Sequence, residues 1–183
     1  MTVLTLDPTT ARLRLLTGVE GKAARLGHDL VLALDAWSGQ ATMAGDVPES
    51  LRLTVELASL RVESGSGGAK PLSDKDRDSI RANALKTLHA ERHPQVVFTS
   101  SSVVAAPGGY DVTGALSISG TERPVVLHLA VSEDPGGLAI TARVPVRQTD
   151  HGVAPYSTMM GALRLQDVVQ VTLDAVVPRS VTS

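Results

Sequence analysis

Five histidines and no cysteine carry whatever acid-base or metal chemistry this 183-residue chain performs. Thiolate catalysis, disulfides and cysteine-bound metal are therefore excluded. His28 stands between Gly27 and Asp29, where an imidazole that changes charge near neutral pH could receive a polar head group or act as an acid-base residue. A satisfied turn uses the same residues. His89 and His93 have the spacing that shares a metal on a continuous helix, but Pro94 follows at once and the helical pattern ends near Leu88. His128 is out of phase with Leu127 and Leu129 and so points outward, and His151 in Asp150-His151-Gly152 reads as turn chemistry. No serine fits a nucleophile elbow, because Glu63-Ser64-Gly65-Ser66-Gly67 has Glu where Gly-x-Ser-x-Gly needs its first Gly. The loop from Gly65 to Lys70 has the glycines of a phosphate cradle, but Ala69 and Pro71 flank Lys70 where Gly and Ser or Thr are required. Lys22, Arg25, Lys70 and Arg147 remain as cations able to meet an anionic head group.

The elements that position these residues are mostly strands. Tyr110, Val112, Gly114, Leu116 and Ile118 alternate with polar or small residues. After the turn Ser119-Gly120-Thr121-Glu122-Arg123-Pro124, Val125, Leu127, Leu129 and Val131 share a face. A period of two means one face of each strand is apolar and covered. The same pattern predicts strands over Thr10 to Thr17, Asp29 to Asp35, Gly39 to Gly45, Leu51 to Leu60, Gln95 to Val104, Leu138 to Arg147 and Val168 to Val177. Pro145 lacks a donor, which places that end of its strand at an edge, a bulge or an opening. Between Pro71 and His93 the period changes. Ser73 with Asp76 forms an imperfect capping box, and Ile80, Ala84 and Leu88 form a narrow stripe, predicting one helix over about Asp74 to Leu88. Pro155 to Leu165 is a looser connection in which Met159 and Met160 suit a mobile lid.

Length predicts a single domain over 1–183 with a core over about 11–177. The chain is 43% hydrophobic and 20% charged, ordinary for a globular domain. A net charge of -2 gives no footprint for nucleic acid. No segment reads as a transmembrane span, and Asp7, Arg12 and Arg14 break up the N-terminal segment, so the expected compartment is the cytoplasm. Only Trp37, Phe98, Tyr110 and Tyr156 are aromatic. The interior is therefore lined by aliphatic chains, which suit flexible hydrocarbon, although a filled aliphatic core would look the same.

Taken in order, several strings resemble the YceI-like family. They are Gly27-His28-Asp29-Leu30, Trp37-Ser38-Gly39, Ser59-Leu60-Arg61-Val62, Asp74-Lys75-Asp76-Arg77, and Arg92-His93-Pro94 with Phe98. Then come Tyr110 to Leu116, Gly120 to Val125, Asp150-His151-Gly152, Gly161-Ala162-Leu163 and Asp167-Val168. The resemblance runs from about Leu13 to Val177. The N-terminal segment does not read as the secretory leader with which many members begin, and Leu30, Leu32, Leu34 and Met43 stand where many members carry aromatic residues.

The resemblance implies an all-β fold with one α-helix: an extended antiparallel, lipocalin-like barrel of about eight strands with the helix packed against it. It further implies a dimer and a long apolar ligand, a polyisoprenoid in better-known members, held between the strands. Burying each methylene contributes roughly 0.8 kcal/mol against an association cost of about 4–15 kcal/mol. Such a tunnel therefore favours long acyl or prenyl chains, an isoprenoid quinone among them. The residues assigned to that ligand are His28 at a mouth; Leu30, Leu32, Leu53, Val55, Leu57 and Phe98; Val112, Leu116, Ile118, Leu127, Leu129, Leu138 and Ile140; and Met159 as a lid. No catalytic or metal site and no cofactor beyond a bound lipid or isoprenoid are expected. Two alternatives stay open: an enzyme on a small hydrophobic substrate with His28 as acid-base group, and a ligand-free dimeric structural protein.

Overall fold

The structure, a computed structural model, describes residues 1–179. Its strands are β1 (Thr2–Leu6), β2 (Ala11–Thr17), β3 (Val19–Glu20), β4 (His28–Leu34), β5 (Trp37–Ala44), β6 (Val47–Glu56) and β7 (Leu60–Gly67). After the helix α1 (Asp74–Thr87) come β8 (Gln95–Ala106), β9 (Gly109–Ile118), β10 (Thr121–Asp134) and β11 (Gly137–Arg147). The chain ends with β12 (Ser157–Thr158), β13 (Leu163–Leu165) and β14 (Val168–Val177).

Eleven of these strands form one antiparallel sheet in the order β1-β5-β6-β8-β9-β10-β11-β14-β2-β4-β7. The order describes a barrel once two kinks are recognised. Asp35 and Ala36 alone separate β4 from β5, and a single 3₁₀ turn, Leu57–Ser59, separates β6 from β7. Each pair is one long strand with a bend, and together they form one hairpin: β4 pairs with β7, and β5 with β6. Across the bend, the Glu56 amide donates to the Ala36 carbonyl at 2.9 Å. Because β2 pairs with the first half of this hairpin and β8 with the second, the ring closes with eight strand positions, and β1 is added outside on β5. Sheets of this size close to remove their edges. The small sheet β12-β13-β3 covers one end.

The sequence expectation omits the short strands β3, β12 and β13, and it differs in three further places. It runs Leu51 to Leu60 as one strand, whereas the chain bends at Leu57 and continues as β7. It omits β1, whose strand character comes from pairing with β5. It also draws the turn after Ile118 too long. Ser119 and Gly120 both have positive φ, 49° and 76°, as the two-residue hairpin turn of type I′ requires. Pairing therefore resumes at Thr121.

The helix covers the one outer edge left by the kinked hairpin. Ser73 and Asp76 make a complete capping box: the Ser73 hydroxyl accepts from the Asp76 amide, and the Asp76 carboxylate accepts from the Ser73 amide at 2.9 Å. The shorter Asp therefore serves where Glu is usual. From the helix, Arg77 donates to the carbonyls of Val62 and Glu63, and Arg81 to those of Leu60 and Ala58. These guanidinium groups occupy the carbonyl row of an edge strand that would otherwise invite another chain. Beneath them Leu72, Ile80, Ala84, Leu85 and Leu88 pack on a core containing Leu13, Leu34, Trp37, Val55, Leu60 and Val62.

One ring ladder is incomplete. Between β10 and β11 the pairing runs only from Asp134↔Gly137 to Ala130↔Thr141. Beyond it residues 121–129 pair as strand only with β9, and residues 142–147 only with β14. Pro124 and Pro145 lie in these parted segments, one on each strand, where a missing donor leaves no bond unmade. The opening expected from Pro145 is this slit. The slit ends at the 3₁₀ turn Gln148–His151, where Arg123 donates to the Asp150 carbonyl at 2.8 Å.

Candidate functional site

The inner faces of the barrel strands are apolar by alternation, but they are not uniformly buried. Leu57, Leu60, Val112 and Val153 are fully buried. Leu116, Ile118, Leu127, Leu129, Leu138 and Ile140, which also face inward, remain only half-buried. Side chains that point into a barrel and still expose surface must border empty space, because a filled core would leave none. That space is a tunnel of about 620 Å³. A cavity of roughly 150 Å³ accepts one benzene ring, so this tunnel has room for on the order of 20–25 carbons by the same measure.

Three groups of residues line it. In the middle stand Leu13, Leu32, Leu34, Trp37, Leu53, Val55 and Phe98, with Ile80, Ala84 and Leu88 from the helix. At the end covered by β12, β13 and β3 are Val19, Leu26, His28, Leu30, Tyr156 and Leu163. At the opposite end, where the β5–β6 hairpin turns, are Leu4, Leu6, Met43, Pro48, Tyr110 and Val177. Helix α1 is therefore part of the wall, and its stripe at spacing four faces the tunnel.

Of the residues the sequence assigns to the ligand, His28, Leu30, Leu32, Leu53, Val55, Leu57 and Phe98 line the tunnel. So do Leu116, Ile118, Leu127, Leu129, Leu138 and Ile140. Val112 and Met159 do not. Val112 shares the inner face with Leu116, but its relative exposure is 0% and it does not reach the void. Met159 is exposed on the outer side of the turn after β12.

The lining is almost wholly apolar, which makes its few polar atoms informative. Thr17 Oγ1 and Trp37 Nε1 are buried and without a hydrogen-bond partner, and both residues line the tunnel. A buried polar group left unpaired costs about 1–3 kcal/mol, so these two atoms are places where a ligand's hydroxyl or carbonyl gains most. His151 is buried, and its Nδ1 lies 3.0 Å from the Thr121 carbonyl. A carbonyl only accepts, so Nδ1 carries the proton and Nε2 of the neutral ring is an acceptor. Sequence reasoning places His151 in a turn, which it occupies, but the alternation rule cannot tell that the turn folds its ring inward. Asp167 holds that turn: its carboxylate accepts from the Thr149 hydroxyl at 2.6 Å and the Thr149 amide at 2.9 Å. Chiefly through that hydroxyl bond, the Asp167 carboxyl is held below the usual aspartate range.

His28 lies at the edge of the tunnel, with one ring nitrogen held by the backbone. Its Nε2 lies 2.8 Å from the Lys70 carbonyl, so this nitrogen is a committed donor, and a β-carbon on Gly68 would sit 2.4 Å from the ring. The ring thus anchors the chain between β7 and α1 at the edge of the tunnel. His128 binds Asp111 at 2.7 Å on the outer surface. Among the described residues no group of three His, Asp or Glu side chains could hold a metal ion.

The family model described as "YceI-like domain" matches residues 4–177. A UPF0312 protein of Pectobacterium atrosepticum is 34% identical over 84 residues, covering 37% of this chain and 44% of that protein. Protein YceI of Salmonella arizonae is 33% identical over 84 residues, with the same coverage. The chain thus spans less than half the length of the curated relatives it matches. Among solved structures, Burkholderia cenocepacia BcnA is similar with a TM-score of 0.68 at 18% identity, covering 92% of this chain and 97% of that one. A Campylobacter jejuni YceI protein gives a TM-score of 0.59 at 15% identity, covering 79% and 81%. These two share the curled antiparallel fold.

Proposed function

The chain belongs to the YceI-like family, and from that premise we propose that it is a binding module, not an enzyme, whose tunnel holds one long apolar lipid. A polyisoprenoid, an isoprenoid quinone or a long acyl chain fits this reading, with the protein serving as carrier, store or sensor of the lipid. The observation that supports it is the void itself: six inward-facing aliphatic residues on β9, β10 and β11 are only partly buried around about 620 Å³. At roughly 0.8 kcal/mol per methylene, a ten-carbon chain only offsets the association cost, whereas twenty carbons exceed it. The unpartnered Thr17 hydroxyl and Trp37 indole N–H favour a ligand with an uncharged oxygen function over a bare hydrocarbon. We place the protein in the cytoplasm as a homodimer, which cell fractionation and analytical ultracentrifugation test.

Native mass spectrometry of freshly purified protein tests the central reading, followed by refilling of delipidated protein with geranylgeraniol or with decanol. A one-to-one adduct of lipid mass and uptake of geranylgeraniol in strong preference to decanol are expected. Protein that is empty as isolated and takes up neither alcohol overturns it.

A further inference from the structure

The barrel end covered by β12, β13 and β3 carries an apolar knuckle that nothing in the tunnel explains. Met159, Met160 and Gly161 all have positive φ, at 53°, 55° and 85°. Two of these are not glycine, in a conformation that L residues rarely adopt. This left-handed turn holds Met160 wholly in solvent and Met159 more than half so. Beside it runs the segment from Gly21 to Gly27, joined by the Ala23 amide donating to the Ala162 carbonyl at 2.8 Å. That segment exposes Leu26. Leu26 and Tyr156 are at once exposed and part of the tunnel lining, so the apolar outer surface runs without a break into the tunnel.

The two segments that form the knuckle carry only basic charge, with Glu20 and Asp29 standing just outside the first of them. Residues 21–27 and 155–163 contain Lys22 and Arg25 and no aspartate or glutamate. Neither cation makes an ion pair among the described residues, whereas the nearby Glu20 is neutralised by Arg164 at 2.6 Å. The opposite end also exposes an apolar residue, Val47, but Asp46 and Glu49 flank it.

We infer that this end of the barrel docks on the surface of an anionic lipid bilayer. Met159, Met160 and Leu26 enter the boundary between head groups and acyl chains, and Lys22 and Arg25 meet lipid phosphates. A small apolar surface and a pair of basic residues together make a weak, reversible attachment, neither being sufficient alone. Docked in this way, the mouth at Leu26 and Tyr156 faces the bilayer, and an apolar chain passes between membrane and tunnel without crossing water.

Vesicle flotation of the full chain tests the inference, with phosphatidylcholine vesicles against phosphatidylcholine containing phosphatidylglycerol. Binding to the anionic vesicles is expected to exceed binding to neutral ones by about tenfold and to fall with added salt. M159N/M160N should weaken it about tenfold. Asn is among the side chains that best tolerate the left-handed region, so the turn is kept and its apolar caps are lost. K22E/R25E should weaken binding by at least about tenfold, and V47N should leave it unchanged. Thermal unfolding midpoints equal to wild type show that the variants fold.

Absent or charge-independent vesicle binding overturns the inference, as does unchanged binding by M159N/M160N. Conversion of a dimer to monomer by M159N/M160N in sedimentation also overturns it, since the knuckle would then be an interface between copies. The assay needs no lipid in the tunnel. An empty tunnel with intact vesicle binding therefore counts against the proposed function alone, and a filled tunnel without vesicle binding against the docking alone.

Discussion

The ring of Phe98 lies against the bare α-carbon of Gly114 on the neighbouring strand. A β-carbon there would come within 2.6 Å of the ring and within 2.4 Å of the Thr99 carbonyl. The ring reaches the tunnel from β8 only because β9 leaves it this space. Gly114→Ala is expected to lower stability by about 1–3 kcal/mol. In a double-mutant cycle read by thermal unfolding, Phe98→Leu should recover part of that loss. The remainder stays, because the Thr99 carbonyl belongs to the backbone and cannot withdraw. Full recovery would show that the ring alone resists the added methyl.

Val112 and Leu129 share the inner face but border different things, solid packing and void. Leu129→Trp should fold normally and reduce the lipid adduct in native mass spectra, because the larger ring occupies tunnel space. Val112→Phe should cost about 1–3 kcal/mol by overpacking and leave lipid content unchanged where folded. Equal destabilisation by both would mean that the tunnel is filled by side chains.

Thr17→Val and Trp37→Phe each remove an unpartnered buried polar atom while keeping most of the volume. Each should raise the stability of lipid-free protein by up to about 1–3 kcal/mol. Calorimetric titration should show weaker binding of geranylgeraniol and unchanged binding of the hydrocarbon of the same length. Unchanged preference for the alcohol would mean that the oxygen is recognised elsewhere, and His151 Nε2 is then the group to replace.

Arg81 bridges helix and edge through the carbonyls of Leu60 and Ala58. Arg81→Met keeps the apolar stem and deletes the donors. It should cost about 1–3 kcal/mol and increase concentration-dependent aggregation through the freed edge of β7, measured by light scattering. Lysine at this position should recover only part, since an ammonium lacks the planar fork.

Acid should weaken the fold through two carboxylates. Glu63 accepts a two-pronged bond from Arg14, at 2.8 and 3.0 Å, and this holds its carboxyl below the usual glutamate range. Asp167 is depressed likewise by Thr149. A group whose pKa is lower in the folded chain stabilises it above the unfolded value and loses that contribution as pH falls through the folded one. The unfolding midpoint should therefore be flat near neutrality and decline below about pH 4.5. Glu63→Gln should be less stable at neutral pH and show a shallower decline.

Much of this architecture was legible in the residues. Alternation located most of the ring strands, Ser73 marked the start of the helix, and Pro145 marked the slit. What alternation lacks is depth: it assigns Val112 and Leu116 to the same face but is silent on which meets a neighbour and which meets a void. Strand β7 was missed for a related reason. Its Ser-Gly-Ser-Gly ending has loop composition, and only β4 on one side and two arginines on the other make it a strand. Nothing in the sequence marked the Thr17 hydroxyl or the Trp37 indole N–H as unpartnered, since a lone polar atom matters only once its surroundings are known to be apolar.

Pro124 and Pro145 give the wall a pleat. No hydrogen bonds cross it along that line, so the girth can increase there without breaking any, and the rest of the sleeve keeps its length. Were the proposed lipid a methyl-branched chain, thicker at some carbons than at others, such a pleat would give each bulge room.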